Sequence, residues 1–243
     1  MKENTVAVSL DKIEREAPEL VSLVKKAQFS MQKREMPDTL AQVVLVFDFS
    51  GSMAMRYSNG EVQRLAERLL ALATQLDDDG SVDVFFFESS AHYAGSLSLS
   101  DYKGGIDRLS RKYRMGSTDY AGAFQKVTEH VSGGKKLFGR SKPAALPTFA
   151  AFITDGAPNS ARDAEKALVK ASEKPIFWKM FSLGSTPIDF LQRLDDLPGR
   201  TQDNADYKHI ADVDGIPDMQ LFDMLLEEYP EFVASSRALG MIQ

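Results

Sequence analysis

Apolar and polar positions along this chain repeat with two different periods. Val43-Val44-Leu45-Val46-Phe47 and Phe149-Ala150-Ala151-Phe152-Ile153 are unbroken apolar runs, the signature of strands covered on both faces. Between 61 and 75 the pattern changes. Val62, Leu65, Ala66, Leu69, Leu70 and Ala73 recur at three- and four-residue spacing, the stripe of an amphipathic helix. The same reading predicts strands at about 42–48, 82–87, 148–154 and 175–183, an edge strand or hairpin at 91–99, and a short strand near 200–204. Helices are predicted at about 61–75, 101–113, 119–132, 159–172 and 187–196, then at 217–228 and 230–239, split by Pro230. Near the start, 6–10 reads as a short strand, and Pro18 opens a helical pattern with Leu20, Val21, Val24 and Ala27 on one face.

Strands that alternate with helices imply an α/β class protein. The expected fold is a three-layer, doubly wound and mostly parallel sheet with one antiparallel edge strand. Residues 1–40 are expected as an N-terminal extension packed on a domain of residues 41–243. In such sheets ligands sit beyond the carboxyl ends of the strands, where the strand order reverses.

The candidate chemistry lies at those ends. Asp48-Phe49-Ser50-Gly51-Ser52 follows the first apolar run and offers a carboxylate and two hydroxyls at alternate positions, with Gly51 allowing a sharp turn between the hydroxyls. Gly116-Ser117-Thr118-Asp119 adds a hydroxyl. The run that ends in Thr154-Asp155-Gly156 adds a second carboxylate. Oxygen-only donors with little charge suit a hard cation, Mg²⁺ first, with Mn²⁺ or Ca²⁺ as alternatives.

In this order the residues resemble the von Willebrand factor A domain, whose metal-ion-dependent adhesion site reads Asp-x-Ser-x-Ser, then Thr, then Asp. The resemblance implies a metal site of Asp48, Ser50, Ser52, Thr118 and Asp155. It also implies an open coordination position that accepts an Asp or Glu carboxylate from a protein partner. Ala17-Pro18-Glu19-Leu20-Val21, Gly60-Glu61-Val62-Gln63, Leu72 through Gly80, Leu191 through Ala205 and Leu225 through Pro230 resemble the bacterial tellurium-resistance branch, which is close to the copine A domain. This resemblance implies a metal-dependent binding module of a tellurite- and stress-response system, not an enzyme. Met53, Met55, Tyr57 and Tyr120 are expected to form an apolar rim around the ionic contact.

Composition narrows the alternatives. A net charge of −6 over 243 residues argues against nonspecific nucleic-acid binding. No apolar run is long enough for a membrane span, and Met1-Lys2-Glu3-Asn4-Thr5 does not begin a signal peptide, so the cytoplasm is the expected compartment. With no Cys, disulfides and thiolate metal sites are excluded.

A metal-dependent phosphate-ester hydrolase is the alternative function. In the dehalogenase-type phosphatases, however, a second Asp would stand where Ser50 is. A serine hydrolase would need Gly-x-Ser-x-Gly and a base, and none of His92, His130 and His209 has a telling context. Gly134 through Ser141 approaches a phosphate loop, but Arg140 replaces the Lys and a helix precedes it. The four basic residues Lys135, Lys136, Arg140 and Lys142 of the glycine- and lysine-rich loop 133–147, and nine acids against Lys208 alone in 203–232, read as solvated surfaces or docking patches. Asp77-Asp78-Asp79-Gly80 and Asp212-Val213-Asp214-Gly215 lack the spacing of a calcium loop.

Overall fold

The structure is a computed structural model and describes residues 7–36, 39–77, 80–133 and 146–243. Six strands form one sheet: β1 (Gln42–Asp48), β2 (Ser81–Phe87), β3 (Ala91–Ser98), β4 (Thr148–Thr154), β5 (Ile176–Leu183) and β6 (Ala205–Ile210). Their spatial order is β3-β2-β1-β4-β5-β6. All pairs are parallel except β2–β3. The order reverses at β1, which lies between β2 and β4, with Val46 level with Phe85 on one side and Phe152 on the other.

Because side chains alternate along β1, Val43, Leu45 and Phe47 enter one core layer while Val44 and Val46 enter the other. The first layer is covered by α1 (Leu10–Glu16), α2 (Val21–Lys33), α4 (Glu61–Leu76), α9 (Asp218–Leu226) and α10 (Tyr229–Ala238). The second lies under α6 (Tyr120–Val131), α7 (Ala161–Ala171) and α8 (Asp189–Asp195). Short α3 (Ala54–Ser58) and α5 (Gly105–Ser110) complete the helices among the described residues. At the centre of the second layer, Phe152 stacks on Phe87 at 4.8 Å and Trp178 meets Phe124 edge-on at 4.7 Å. Truncating such a ring to Ala costs about 3–5 kcal/mol.

Among the elements that differ from expectation, four do so for an identifiable local reason, while α1 and α3 are helices the pattern did not predict. Residues 7–10 form no strand. Val8 is buried and its N–H bonds the Thr74 carbonyl, while Ser9 caps α1 by accepting from Lys12 N. The expected 101–113 helix shrinks to α5 because Asp101 makes a turn with Ser98 and Gly104 takes φ 61°. The last strand falls at Ala205–Ile210 rather than 200–204. Arg200 and Thr201 are occupied in joining helix ends, through the Leu197 carbonyl and the Ser172 hydroxyl. The break between α9 and α10 is at Glu228, at φ 62°, whereas Pro230 sits in the first turn of α10, where its missing N–H costs nothing.

Part of the acidic run 203–232 is engaged within the fold rather than free in solvent. Asp218 bridges Lys26 (2.6 Å) and Arg68 (3.0 Å), Asp223 binds Lys33 (2.7 Å) and Asp214 binds Arg64 (2.7 Å). These acids join α9 and the segment before it to α2 and α4. Residues 134–145, with the basic residues Lys135, Lys136, Arg140 and Lys142, lie outside the described residues, as do Asp78 and Asp79.

Candidate metal centre

Strand β1 delivers Asp48 to the switch point with its side chain at zero exposure. Its carboxylate is held from two sides. Ser50 N donates to Oδ1 at 2.7 Å, and Thr154 Oγ1, at the end of β4, donates to Oδ2 at 2.6 Å. The Tyr57 hydroxyl donates to the Asp48 carbonyl at 2.9 Å. Burial lifts the Asp48 carboxyl from 3.8 to about 6. The bonds from Thr154 and Ser50 pull against that rise, and Asp155 adds to it.

After Ser50 the chain turns through one 3₁₀ turn, Gly51–Met53, which brings the Ser50 and Ser52 hydroxyls within 3.1 Å of each other. Ser52 Oγ donates to Asp155 Oδ1 at 2.6 Å. The Thr118 loop is fastened to this segment through backbone: Gly51 N bonds Gly116 O at 3.1 Å and Gly116 N bonds Phe49 O at 3.2 Å. Asp119 then starts α6 by accepting from Gly122 N. Asp48, Ser50, Ser52 and Asp155 thus share one polar cluster, and the Thr118 loop is tied beside it. An oxygen-only set around a buried carboxylate fits a hard divalent cation.

Sequence reasoning missed three residues here. Thr154 completes the Asp48 carboxylate's hydrogen bonding; its signal was a hydroxyl at the end of an otherwise apolar strand. Asn159 clamps the Thr118 loop, accepting from Thr118 N (3.1 Å), donating from its own N–H to Thr118 O (2.9 Å) and from its amide to Ser117 Oγ (2.9 Å). Arg56 lies against Asp155 with Nε 3.7 Å from Oδ2. The last two depend on segments that meet only in the fold.

The expected rim is corrected. Met53 and Tyr120 are fully buried, the latter donating to the Gly156 carbonyl, and Tyr57 is half-buried. Only Met55 stands out, at 75% exposure. Gly51 is corrected too. It has no positive φ, and a Cβ there would meet nothing, so the turn does not demand glycine.

Two other clusters invite comparison. Ser90, His92 and Glu88 look like a hydrolytic triad, but Ser90 Oγ and Glu88 Oε1 both address the same ring nitrogen, Nε2, at 3.1 and 2.9 Å. A triad needs nucleophile and acid on opposite nitrogens. Asp195, Asp206 and Glu228 bring carboxylate oxygens within 4.8 Å of one another. That cluster already holds two cations, Lys179 in contact with Asp206 Oδ2 and Lys208 at 3.0 Å from Oδ1.

The fold and the site can be set beside known proteins. The chain is 32% identical over 224 residues to the uncharacterized protein YcbR of Bacillus subtilis (strain 168), covering 90% of this chain and 88% of that one. Among solved structures it is similar to the manganese-loaded TRAP protein of Plasmodium vivax, with 18% identity, 80% of this chain and 73% of that one covered, and a TM-score of 0.50. It is also similar to proximal thread matrix protein 1 of the mussel byssus, with 14% identity over 78% of this chain and a TM-score of 0.53, and spans 48% of that protein's chain. These likenesses show the shared fold. A family model for the vWA found in the TerF C terminus matches residues 40–242, so the chain belongs to the vWA-TerF-like family of von Willebrand factor A domains.

Proposed function

We propose that this chain is a divalent-cation-dependent protein-interaction module, with the ion held by Asp48, Ser50, Ser52, Thr118 and Asp155. The observation that carries this reading is Asp48: a fully buried carboxylate, at the switch point of the sheet, with hydroxyls beside it and no ion pair among the described residues. Burying a carboxylate without a cation is costly, and an external ion supplies the missing charge. Mg²⁺ suits the neutral hydroxyls; the manganese carried by the Plasmodium protein supports Mn²⁺ as a substitute.

When bound, the ion offers an electropositive coordination position to an incoming anion. The chain's residues hold it with mostly neutral oxygens, so its charge is left available for an Asp or Glu of a protein partner. The chain is read as binding without turnover; the Ser90-His92-Glu88 cluster, with nucleophile and acid on the same ring nitrogen, supports this. We further propose that it serves a tellurite or stress response in the cytoplasm; membership of the vWA-TerF-like family supports this reading, and a net charge of −6 supports a protein rather than a nucleic-acid partner. No helix among the described residues is long and apolar enough to cross a membrane.

Calorimetry with Mg²⁺, Mn²⁺ and Ca²⁺ tests the core of this. The unmodified chain should bind, and Asp48→Ala should not, with an unchanged circular-dichroism spectrum. Equal binding by the variant would remove the site. Partner binding should require the cation, weaken on Thr118→Ala, and fail when one partner carboxylate is neutralised. Metal-dependent turnover of phosphate esters that disappears in Asp48→Ala would replace the binding reading with a hydrolase.

A further inference from the structure

Among the described residues, Arg56 is the cationic side chain paired with the candidate ligand set. It follows the Asp48–Ser52 segment by one turn of α3 and is largely covered, its side chain 22% exposed. Nη1 donates to Glu61 Oε1 at 2.5 Å, at the head of α4, while Nε lies 3.7 Å from Asp155 Oδ2. Asp155 is therefore engaged on both oxygens, by the Ser52 hydroxyl on Oδ1 and by the guanidinium near Oδ2. Room for the guanidinium comes from Gly184, just past β5. At φ 127° it takes a conformation that L side chains rarely adopt, and a Cβ there would lie 3.2 Å from Nη2.

We propose that the Arg56–Glu61 pair sets the charge of the cation site: Arg56 offsets Asp155, and Glu61 controls how far it does so. This rests on the reading of Asp48, Ser50, Ser52, Thr118 and Asp155 as the metal centre. An arginine against Asp155 repels the ion and holds its affinity down. It also leaves the loaded site more positive, which favours an anionic partner. Glu61 acts in the opposite sense, drawing part of the guanidinium's charge away from Asp155. The contacts thus predict effects of opposite sign for the two members of a single ion pair.

The test titrates Mn²⁺ into the full chain and into Arg56→Gln, Arg56→Lys and Glu61→Gln by calorimetry, with thermal melts in chelator to establish folding. Arg56→Gln should bind Mn²⁺ more tightly, roughly tenfold. Arg56→Lys keeps the charge and should stay near the unmodified value. Glu61→Gln should bind a few-fold more weakly. If the pair served only to brace the loop, both neutral variants would weaken binding. Weakening in both, or no change in either, overturns the proposal. Failure of the metal-centre reading looks different: the unmodified chain would not bind Mn²⁺ at all, or Asp48→Ala would bind it normally, and the inference about Arg56 would fall with it.

Discussion

Asp48 and Asp206 are both fully buried carboxylates on strands of the same sheet, one at the end of β1 and the other near the start of β6. Asp206 is compensated from within. Lys179, its register partner on β5, is itself wholly buried and contacts Oδ2, and Lys208 reaches Oδ1. Asp48 receives neutral donors from Ser50 and Thr154, with no cation from the described part of the chain. The first arrangement is closed. The second carries its charge at a cost that an external cation would offset. We therefore assign Asp48 to the proposed cation site and Asp206 to the architecture.

The largest effect expected from this comparison is at Lys179. Burial draws its pKa down to about 7, Lys208 pushes the same way, and the surrounding carboxylates oppose the shift. Lys179→Met leaves Asp206 with an exposed-side partner alone and should cost about 3–5 kcal/mol in urea unfolding. Adding Asp206→Leu should recover most of that loss, because an apolar pair replaces an ion pair without leaving a buried charge. A Lys179→Met variant as stable as the parent would mean that Asp206 does not need its internal cation, and the contrast with Asp48 would collapse.

Next in size is the pH dependence of Asp48. Its folded value of about 6 lies above the ordinary 3.8, so between these values the folded state holds a proton that the unfolded state has lost. The stability contributed by this proton is fully present below 3.8 and is lost as pH rises through about 6. A shift of about two units corresponds to roughly 3 kcal/mol. In chelator, Asp48→Asn should therefore match the parent near pH 4 and exceed its stability above about pH 6. Saturating Mg²⁺ should restore the parent at that higher pH and leave the variant unchanged. Parallel pH profiles for the two proteins, with and without Mg²⁺, would show that burial of Asp48 carries no electrostatic cost.

Thr154→Val probes the same carboxylate more gently. It removes the hydroxyl that donates to Asp48 Oδ2 and keeps the β-branched shape that suits a buried strand end. A hydrogen bond to a charged group contributes about 1.5–3 kcal/mol, so Mg²⁺ affinity should fall by about tenfold. The Asp48 titration should move higher still. An unaltered affinity would show that Thr154 does not orient the carboxylate.

The contrast between these carboxylates also explains what was legible in the sequence. The central strands were readable because both of their faces are apolar, and β1 and β4 begin and end where the pattern places them. The edge strand β6 was displaced because Tyr207, Lys208 and His209 are half-exposed and break the hydrophobic run. Asp48, Ser50 and Ser52 were readable because they are neighbours in sequence. Arg56 and Asn159 were not, since their roles come from segments brought together by the sheet. Met53 and Tyr120 misled for the opposite reason: proximity in sequence to a site does not say which way a large side chain points. The acidic run misled because its basic partners, such as Lys26 and Lys33, lie some 190 residues away.

Asn159 provides the smallest and most selective of these tests. It touches neither Asp48 nor Asp155, yet it pairs with both the N–H and the carbonyl of Thr118 and donates to the neighbouring Ser117 hydroxyl. Its exposed position means that Asn159→Ala should cost the fold at most about 1 kcal/mol. The 116–118 loop would remain anchored at Gly116 through Phe49 and Gly51 while losing the side-chain restraint on its far end. Mg²⁺ affinity should then fall only a few-fold, by loss of preorganisation at Thr118. Combined with Thr118→Ala, Asn159→Ala should add almost nothing, because it acts through that hydroxyl. Fully additive losses in the double variant would show that Asn159 reaches the ion by some other route, and that the clamp on Thr118 is only a loop contact.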